Sequence, residues 1–501
     1  MPLDTAENLR SRGICVIVPT YNNAGTIEDV VRRAFVFCKD VFVVVDGSTD
    51  DTVDRLKRLE NQPNIIELPE NTGKGNALRA GFRQARSAGF AYAITLDGDG
   101  QHYPEDIPLF LEANRRHPGA LIVGRRQGLD SVERSKSSSF ANSFSNFWFF
   151  LQTLVPLKDT QTGYRLYPLK KLHGLRFLTS RYEAELELLV FSAWCGVRIV
   201  SQDVRVYYPP RDERVSHFRP IRDFARISVL NVVLCLLALV FGLPLTLLRW
   251  LFLIIKSFLT ILLYAIGMTV FVTPGIFLYL KFGKKSEKKK ERLHVAIKKT
   301  LGFALKFLGC LGNKYSLRFN AEENFDRPSI IICNHQSHLD LLPMLALTPK
   351  LIILTADWVW HNPLYGFIIR EADYLPASRG LEAIVPRLRE LVSKGYSIVV
   401  YPEGTRSPDC RIGRFHQGAF YLAEILNVDI LPTVIYGTGQ ALPKHGRILR
   451  PWPIIMEVDK RVSPDDARRL GDSLKSRASY WRKYYMSRYS EIADKVEQTN
   501  V

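Results

Sequence analysis

A chain of 501 residues is longer than one hydrophobic core usually organises, which predicts two or three domains. Its seven cysteines show no Cys-x-x-Cys pair and no regular spacing, which excludes a disulfide scaffold and suits a reducing compartment. The net charge of +18 leaves nucleic acid, anionic lipid and acidic substrates all open as partners.

The first residues mix Asp4, Glu7 and Arg10 with no apolar run, so no secretory signal is expected and the amino-terminal domain is predicted to stay cytosolic. Cys15 to Thr20 and Val41 to Asp46 are apolar and β-branched, whereas Ile27 to Cys38 and Thr52 to Leu59 have helical periodicity. This alternation predicts an α/β fold, a parallel sheet wrapped by helices. Ligands of such sheets gather at the carboxyl ends of strands. There lie Tyr21, Asn22 and Asn23, then Asp46, then Asp97 and Asp99 after Ala91 to Leu96, predicting a nucleotide pocket. Two carboxylates one residue apart on a glycine-flanked turn can hold a divalent cation that keeps positions open for diphosphate oxygens. An ordinary polar turn would carry the same pair.

Taken together, Pro19-Thr-Tyr-Asn-Asn23, Val45-Asp-Gly-Ser-Thr-Asp50, Asn71-Thr-Gly-Lys-Gly-Asn-Ala77 and Asp97-Gly-Asp-Gly-Gln-His102 resemble glycosyltransferase family 2. Val123-Gly-Arg125, Arg134 and Asp159-Thr-Gln-Thr-Gly-Tyr-Arg165 place the likeness near the dolichol-phosphate-mannose synthase-like branch, which glycosylates polyprenyl phosphates. The resemblance implies a nucleotide-sugar-binding (GT-A type) mixed sheet with flanking helices. It implies that Asp46 contacts the nucleoside, Lys74 the nucleotide and Asp97 the nucleotide-sugar, with Pro19, Tyr21 and Asn22 in the same pocket. Asp99 and Gln101 would hold Mg or Mn, and Arg125, Arg134 and Arg214 a donor or acceptor phosphate. Val45 stands where the family commonly has a second aspartate, so the base that is read stays open. An acceptor phosphate needs no general base; for a hydroxyl acceptor, Asp159 is the first candidate and Glu185 the second. Glu183, Glu185 and Glu187 also read as a plain carboxylate-bearing helix face.

Residues 228–248 and 257–280 are two uncharged apolar runs, each long enough to cross hydrocarbon. Only Arg249 and Lys256 separate them, while basic residues crowd both flanks, from Arg211 to Arg226 and from Lys281 to Arg292. The positive-inside rule then predicts a hairpin with both flanks in the cytoplasm. A re-entrant hairpin, a pair of interfacial helices, or buried core helices would give a similar pattern, and Pro244 and Pro274 suggest kinks. The basic residues before the first run form either an interfacial collar or a clamp on a lipid phosphate.

Beyond the divider, Ser329 to Asn334 reads as a buried strand that delivers His335 to a turn, with Asp340 at the start of the next helix. An imidazole oriented by a carboxylate is a general-base pair that draws a proton from an acceptor hydroxyl as it attacks a thioester. His338 is the runner-up; metal binding by the two histidines lacks a third ligand. Ser397 to Tyr401 predicts a second strand ending in Pro402-Glu-Gly-Thr-Arg406, whose arginine can grip a phosphate or carboxylate. These blocks, with Tyr374-Leu-Pro-Ala-Ser-Arg379-Gly380 and Ile430-Leu-Pro432, resemble the lysophosphatidic acid acyltransferase family. The resemblance implies an α/β glycerolipid acyltransferase-like domain that uses acyl-CoA or acyl carrier protein and no cofactor. His335 would be the base, Asp340 its orienter, and Arg379, Glu403, Gly404, Thr405 and Arg406 the acceptor site. Ala377 and Ser378 depart from the commoner form of the second block, which suits a different headgroup. The last forty residues read as an amphipathic basic helix, either a membrane-surface anchor or a packing helix.

The expected organisation is a glycosyltransferase domain at 1–226, a helical hairpin at 227–282 and an acyltransferase-like domain at 283–501. The expected function is transfer of a sugar from a nucleotide-sugar to a lipid or polyprenyl-phosphate acceptor, and of an acyl group to a lipid or glycolipid hydroxyl. Both domains would face the cytoplasm from one membrane. The alternative is a membrane scaffold with one or both sites inactive. Nucleic acid is not an expected partner, because the cations crowd the apolar runs instead of interleaving with aromatic platforms.

Overall fold

Two seven-stranded sheets organise the chain in a computed structural model that describes every residue except 1–6, 8, 128–135, 175–178, 208–219, 268–272, 283–285, 364–365 and 501. The backbone divides into two units, Met1–Trp250 with Glu497–Val501, and Leu251–Val496.

In the first unit the strands are β1 (Ile14–Thr20), β2 (Val41–Asp46), β3 (Asn64–Leu68), β4 (Tyr92–Thr95), β5 (Leu121–Arg126), β6 (Arg165–Pro168) and β7 (Ile199–Val204). Their order is β3-β2-β1-β4-β6-β5-β7. The apolar runs that predicted β1 and β2 are buried throughout, as strands covered by helices on both faces must be. The sheet is mixed, not purely parallel, because β6 runs antiparallel to both β4 and β5. Residues 154–164 bring the chain back at the end where β4 stops, so β6 enters the sheet in the opposite sense.

The second unit holds β8 (Tyr315–Phe319), β9 (Ser329–Cys333), β10 (Leu351–Thr355), β11 (Leu375–Pro376), β12 (Ser397–Val400), β13 (Asp429–Tyr436) and β14 (Ile454–Val458), in the order β11-β10-β12-β9-β13-β14-β8. Strand β9 lies between β12 and β13, parallel to both, and every one of its residues is buried. The carboxy-terminal helix Leu474–Asn500 packs Trp481, Tyr485 and Ile492 into the core, which makes it a packing helix.

Among the described residues one helix, Ala225–Leu263, is long and apolar enough to cross a membrane. The expected break at Arg249 to Lys256 is absent: the segment Leu243–Ile266 is helical throughout, so the first apolar run and the start of the second form one element. No proline or glycine lies between Arg249 and Lys256, and each cation has a local partner. Arg249 donates to the carbonyl of Trp194, the last residue of the helix Glu183–Trp194. Lys256 donates to the carbonyl of Leu311, which closes the helix Glu287–Cys310. Both carbonyls sit at the negative end of a helix, where a cation is stabilised. Pro244 is accommodated by a wider π turn at Ala238–Gly242, which absorbs the missing backbone donor. Of the second expected run, Thr273–Lys281 is helical, and 268–272 lies outside the described residues.

Helix Glu287–Cys310 starts at Ser286, whose hydroxyl accepts from the Lys289 amide. Two turns in, it buries His294 against the rings of Tyr374 and Tyr396, at 5.8 and 5.0 Å. Burial lowers the His294 pKa to about 4, outweighing the opposing pull of Asp373. The folded unit thus holds the neutral ring, while the unfolded chain takes up a proton below its ordinary value of about 6.5. This contribution is complete above that pH and is lost as pH falls toward 4, at most ~3 kcal/mol. Denaturant titrations between pH 7 and 4 are expected to show this loss in the wild type and a flatter profile in His294→Phe; parallel profiles would contradict it.

Candidate active sites

At the carboxyl edge of the first sheet, Asp46 ends β2 and accepts from the Thr72 amide at 2.9 Å, the Thr72 hydroxyl at 3.0 Å and the Gly73 amide at 2.8 Å. These bonds pin the loop that opens the helix Lys74–Ser87. Asn22, at φ +49°, ties the β1 end to the next loop: its amide donates to the Ser48 hydroxyl, and its side-chain carbonyl accepts from the Thr49 amide. Pro19 is buried inside β1 and Tyr21 is half-buried just after it.

Lys74 projects between two carboxylates, 2.7 Å from Asp97 and 2.9 Å from Glu185. Burial opposes the charge on this lysine, but Asp97 and Glu185 outweigh it and hold the pKa above its ordinary value. For Asp97 burial acts upward and is overcome by Lys74 and His102, so the carboxylate stays charged. Asp99 has no such partner. Its pKa is raised by burial and then by Asp97, and it accepts a hydrogen bond from the Gln101 amide at 3.0 Å. Among the described residues no three His, Cys, Asp or Glu side chains converge to hold a metal. Asp99 and Gln101 fit a cation only if diphosphate and water oxygens complete its shell.

The loop after Asp159 closes over the Lys74 pair, and a Cβ at Gly163 would come within 2.7 Å of the ammonium and 2.8 Å of Asp97, so only glycine fits. Asp159 is fully buried and receives two guanidinium bonds from Arg126, at 2.7 and 2.9 Å. Arg125 forms a two-pronged pair with Asp203 at 2.5 and 2.6 Å. Arg134 and Arg214 lie outside the described residues.

In the second sheet β9 ends at Cys333, and the Asn334 side chain then bonds the Ile435 backbone on β13, donating to its carbonyl and accepting from its amide, both at 2.8 Å. The next residue is His335, one-fifth exposed, with Nδ1 2.8 Å from Asp340 Oδ2. That same oxygen accepts from the Gln336 and Ser337 amides at 2.7 and 2.9 Å, so three donors fix one buried carboxylate. The capping box of Ser337 and Asp340 starts the following turn and sets their spacing. With Nδ1 occupied, Nε2 is the ring nitrogen left to take a substrate proton. Tyr401 stacks on the imidazole, centroids 4.3 Å apart and planes 26° from parallel.

Glu403 is buried and accepts from the His335 amide at 2.8 Å and the Gly413 amide at 2.7 Å. Burial raises its pKa against the pull of these amides. Both its oxygens therefore serve the backbone around the histidine. Gly404 turns the loop at φ +66°. Thr405 accepts from Lys444 Nζ at 3.0 Å, and Arg406 donates to the Lys444 carbonyl at 3.2 Å. Exposed His338 has its pKa lowered by partial burial, then by Arg406 and His335, which marks the mouth as cationic. Arg379 is the last residue of the short turn Ala377–Arg379, and its side chain lies outside what the structure describes. Asn334, Tyr401 and Lys444 were not singled out from sequence; only the adjacency of Asn334 and Tyr401 to the two motifs could have flagged them.

The glycosyl transferase family 2 model matches residues 15–168 and the acyltransferase model residues 316–436. An undecaprenyl-phosphate mannosyltransferase of Micrococcus luteus is 29% identical over 37% of this chain and 80% of its own length. A chloroplastic 1-acyl-sn-glycerol-3-phosphate acyltransferase of Arabidopsis thaliana is 32% identical over 26% of this chain and 38% of its own. The chain spans 36–52% of the length of the first acyltransferase relatives it matches. The solved 1-acyl-sn-glycerophosphate acyltransferase of Thermotoga maritima is 21% identical, covering 48% of this chain and 98% of that one at a TM-score of 0.41.

Lys74→Met leaves Asp97 and Glu185 buried without their shared cation and is expected to cost the first unit about 3–5 kcal/mol. The double variant Lys74→Met, Asp97→Asn should recover part of this. Denaturant unfolding of that unit checks it, and an unchanged midpoint for the single variant would contradict it.

Proposed function

With a family 2 glycosyltransferase segment and an acyltransferase segment in one chain, we propose a bifunctional membrane enzyme that glycosylates a lipid or polyprenyl phosphate and acylates a lipid or glycolipid hydroxyl. The 2.8 Å pair of His335 and Asp340 at a cationic mouth carries the acyl half. His335 takes the proton of the acceptor hydroxyl, the oxygen attacks the thioester carbonyl of acyl-CoA or acyl carrier protein, and the thiol leaves as it is reprotonated. Arg406 and Lys444 at the mouth suit an acceptor bearing a phosphate. Arg379 is the further candidate for that site.

In the glycosyl half, an acceptor phosphate oxygen attacks the anomeric carbon and the nucleoside diphosphate leaves. Asp159 is held by Arg126 and Glu185 by Lys74, so neither is free as a general base. This favours an acceptor that is already an anion, as in the relative whose name specifies undecaprenyl phosphate. Mg or Mn at Asp99 and Gln101 would neutralise the departing diphosphate. Asp46, Asn22, Tyr21 and Pro19 line the nucleotide side of this edge, and Arg125, Arg134 and Arg214 are the candidates for phosphate binding.

The helix Ala225–Leu263 exposes Val229, Val232, Leu236, Leu247, Leu251 and Phe252, a surface suited to lipid and costly in water. Both active sites would work from the cytoplasmic face, where nucleotide-sugars and acyl thioesters are supplied. In assays with labelled donors, His335→Ala should reduce acyl transfer by ~10²–10⁴ and spare glycosyl transfer. Asp99→Asn should do the reverse. Undiminished acyl transfer by His335→Ala would remove the proposed mechanism.

A further inference from the structure

We propose that Tyr485, on the carboxy-terminal helix, is a positioning residue for acyl transfer, because its hydroxyl sets where β9 ends and therefore where His335 stands. This inference rests on the acyltransferase reading above. In the parallel register of β9 and β13, Cys333 faces Thr433, which makes the Thr433 amide and the Ile332 carbonyl natural ladder partners. The Tyr485 hydroxyl meets both: it accepts from that amide at 3.1 Å and donates to that carbonyl at 2.5 Å. Two residues on, the Asn334 side chain takes over the bonds to Ile435. At His335 the backbone turns to the motif loop, its amide donating to Glu403 and its carbonyl accepting from the Ser407 amide at 2.8 Å. Ile332, Asn334 and His335 are thus each held by a group other than the regular pairing of two strands.

The wedge is rigid. Tyr485 is fully buried with Phe415 edge-on at 5.2 Å, and Trp481, one turn earlier, is buried as well. Arg488 anchors the same helix to Glu457 on β14 at 2.7 Å, and Tyr484 donates to Asp459 just beyond that strand, also at 2.7 Å. Without the Tyr485 hydroxyl, Ile332 and Thr433 close on each other or admit a water, and either change shifts the end of β9. A general base must stay within hydrogen-bond reach of the hydroxyl it activates, and a displacement of about 1 Å costs on the order of 100-fold. The two substrates bind elsewhere at the mouth, so turnover suffers and affinity does not.

The test uses the full chain in detergent micelles with labelled oleoyl-CoA and lysophosphatidic acid as probes, and compares Tyr485→Phe with Tyr480→Phe, a change at an exposed position of the same helix. Tyr485→Phe is expected to lower kcat by about 10-fold to 100-fold, with KM for both probes within about twofold, glycosyl transfer intact and a melting temperature above that of the assay. Tyr480→Phe should keep wild-type kcat. Wild-type turnover by Tyr485→Phe would overturn the proposal. So would a raised KM, or a loss matched by equal loss of glycosyl transfer or by unfolding, since these mark a binding or purely structural role. Absence of acyl transfer in the wild type would instead remove the acyltransferase reading, and the inference with it.

Discussion

A charge carried to the end of a buried strand has to find its partners there, and both candidate sites are built around that requirement. In the first unit Lys74 is neutralised by Asp97 and Glu185, while Asp99, beside Asp97, has its pKa raised by burial and by that neighbour. In the second, one oxygen of Asp340 gathers an imidazole and two amides. Desolvating these groups costs several kcal/mol each, and the geometry that offsets this cost also orients them. Arg249 and Lys256 obey the same rule inside an apolar helix, each finding a helix-terminal carbonyl.

Local features were legible in the sequence because local physics decides them. The β-branched runs at Cys15 and Val41 could only be buried strands, and His335 and Asp340 lie five residues apart across one turn, close enough for their pairing to be read directly. What escaped was the partner supplied from far along the chain. Glu185 stands more than a hundred positions from Lys74, and Tyr485 is 153 from Ile332. Asp159 looked like a free acid until Arg126, 33 residues before it, proved to be its partner. The turn expected between Arg249 and Lys256 is helical instead for a related reason: two cations within an apolar stretch suggested a break, because carbonyls able to receive them are invisible in a linear pattern.

The two catalytic halves solve different chemical problems with similar means. In the second unit the His335 ring is held by Asp340 and by the stacked Tyr401 ring, beside the bonds that fix the end of β9. In the first unit Lys74 is paired with Asp97 and Glu185, and Arg126 with Asp159.

The central claim is that one chain carries two working transferases acting on lipids. Mass spectrometry of lipids extracted from cells with and without the gene tests it most directly. The account predicts that a glycosylated lipid and an acylated product, or one molecule bearing both groups, disappear with the gene and return with its expression. A lipid profile identical in both cells, under conditions where the protein is made, would contradict it.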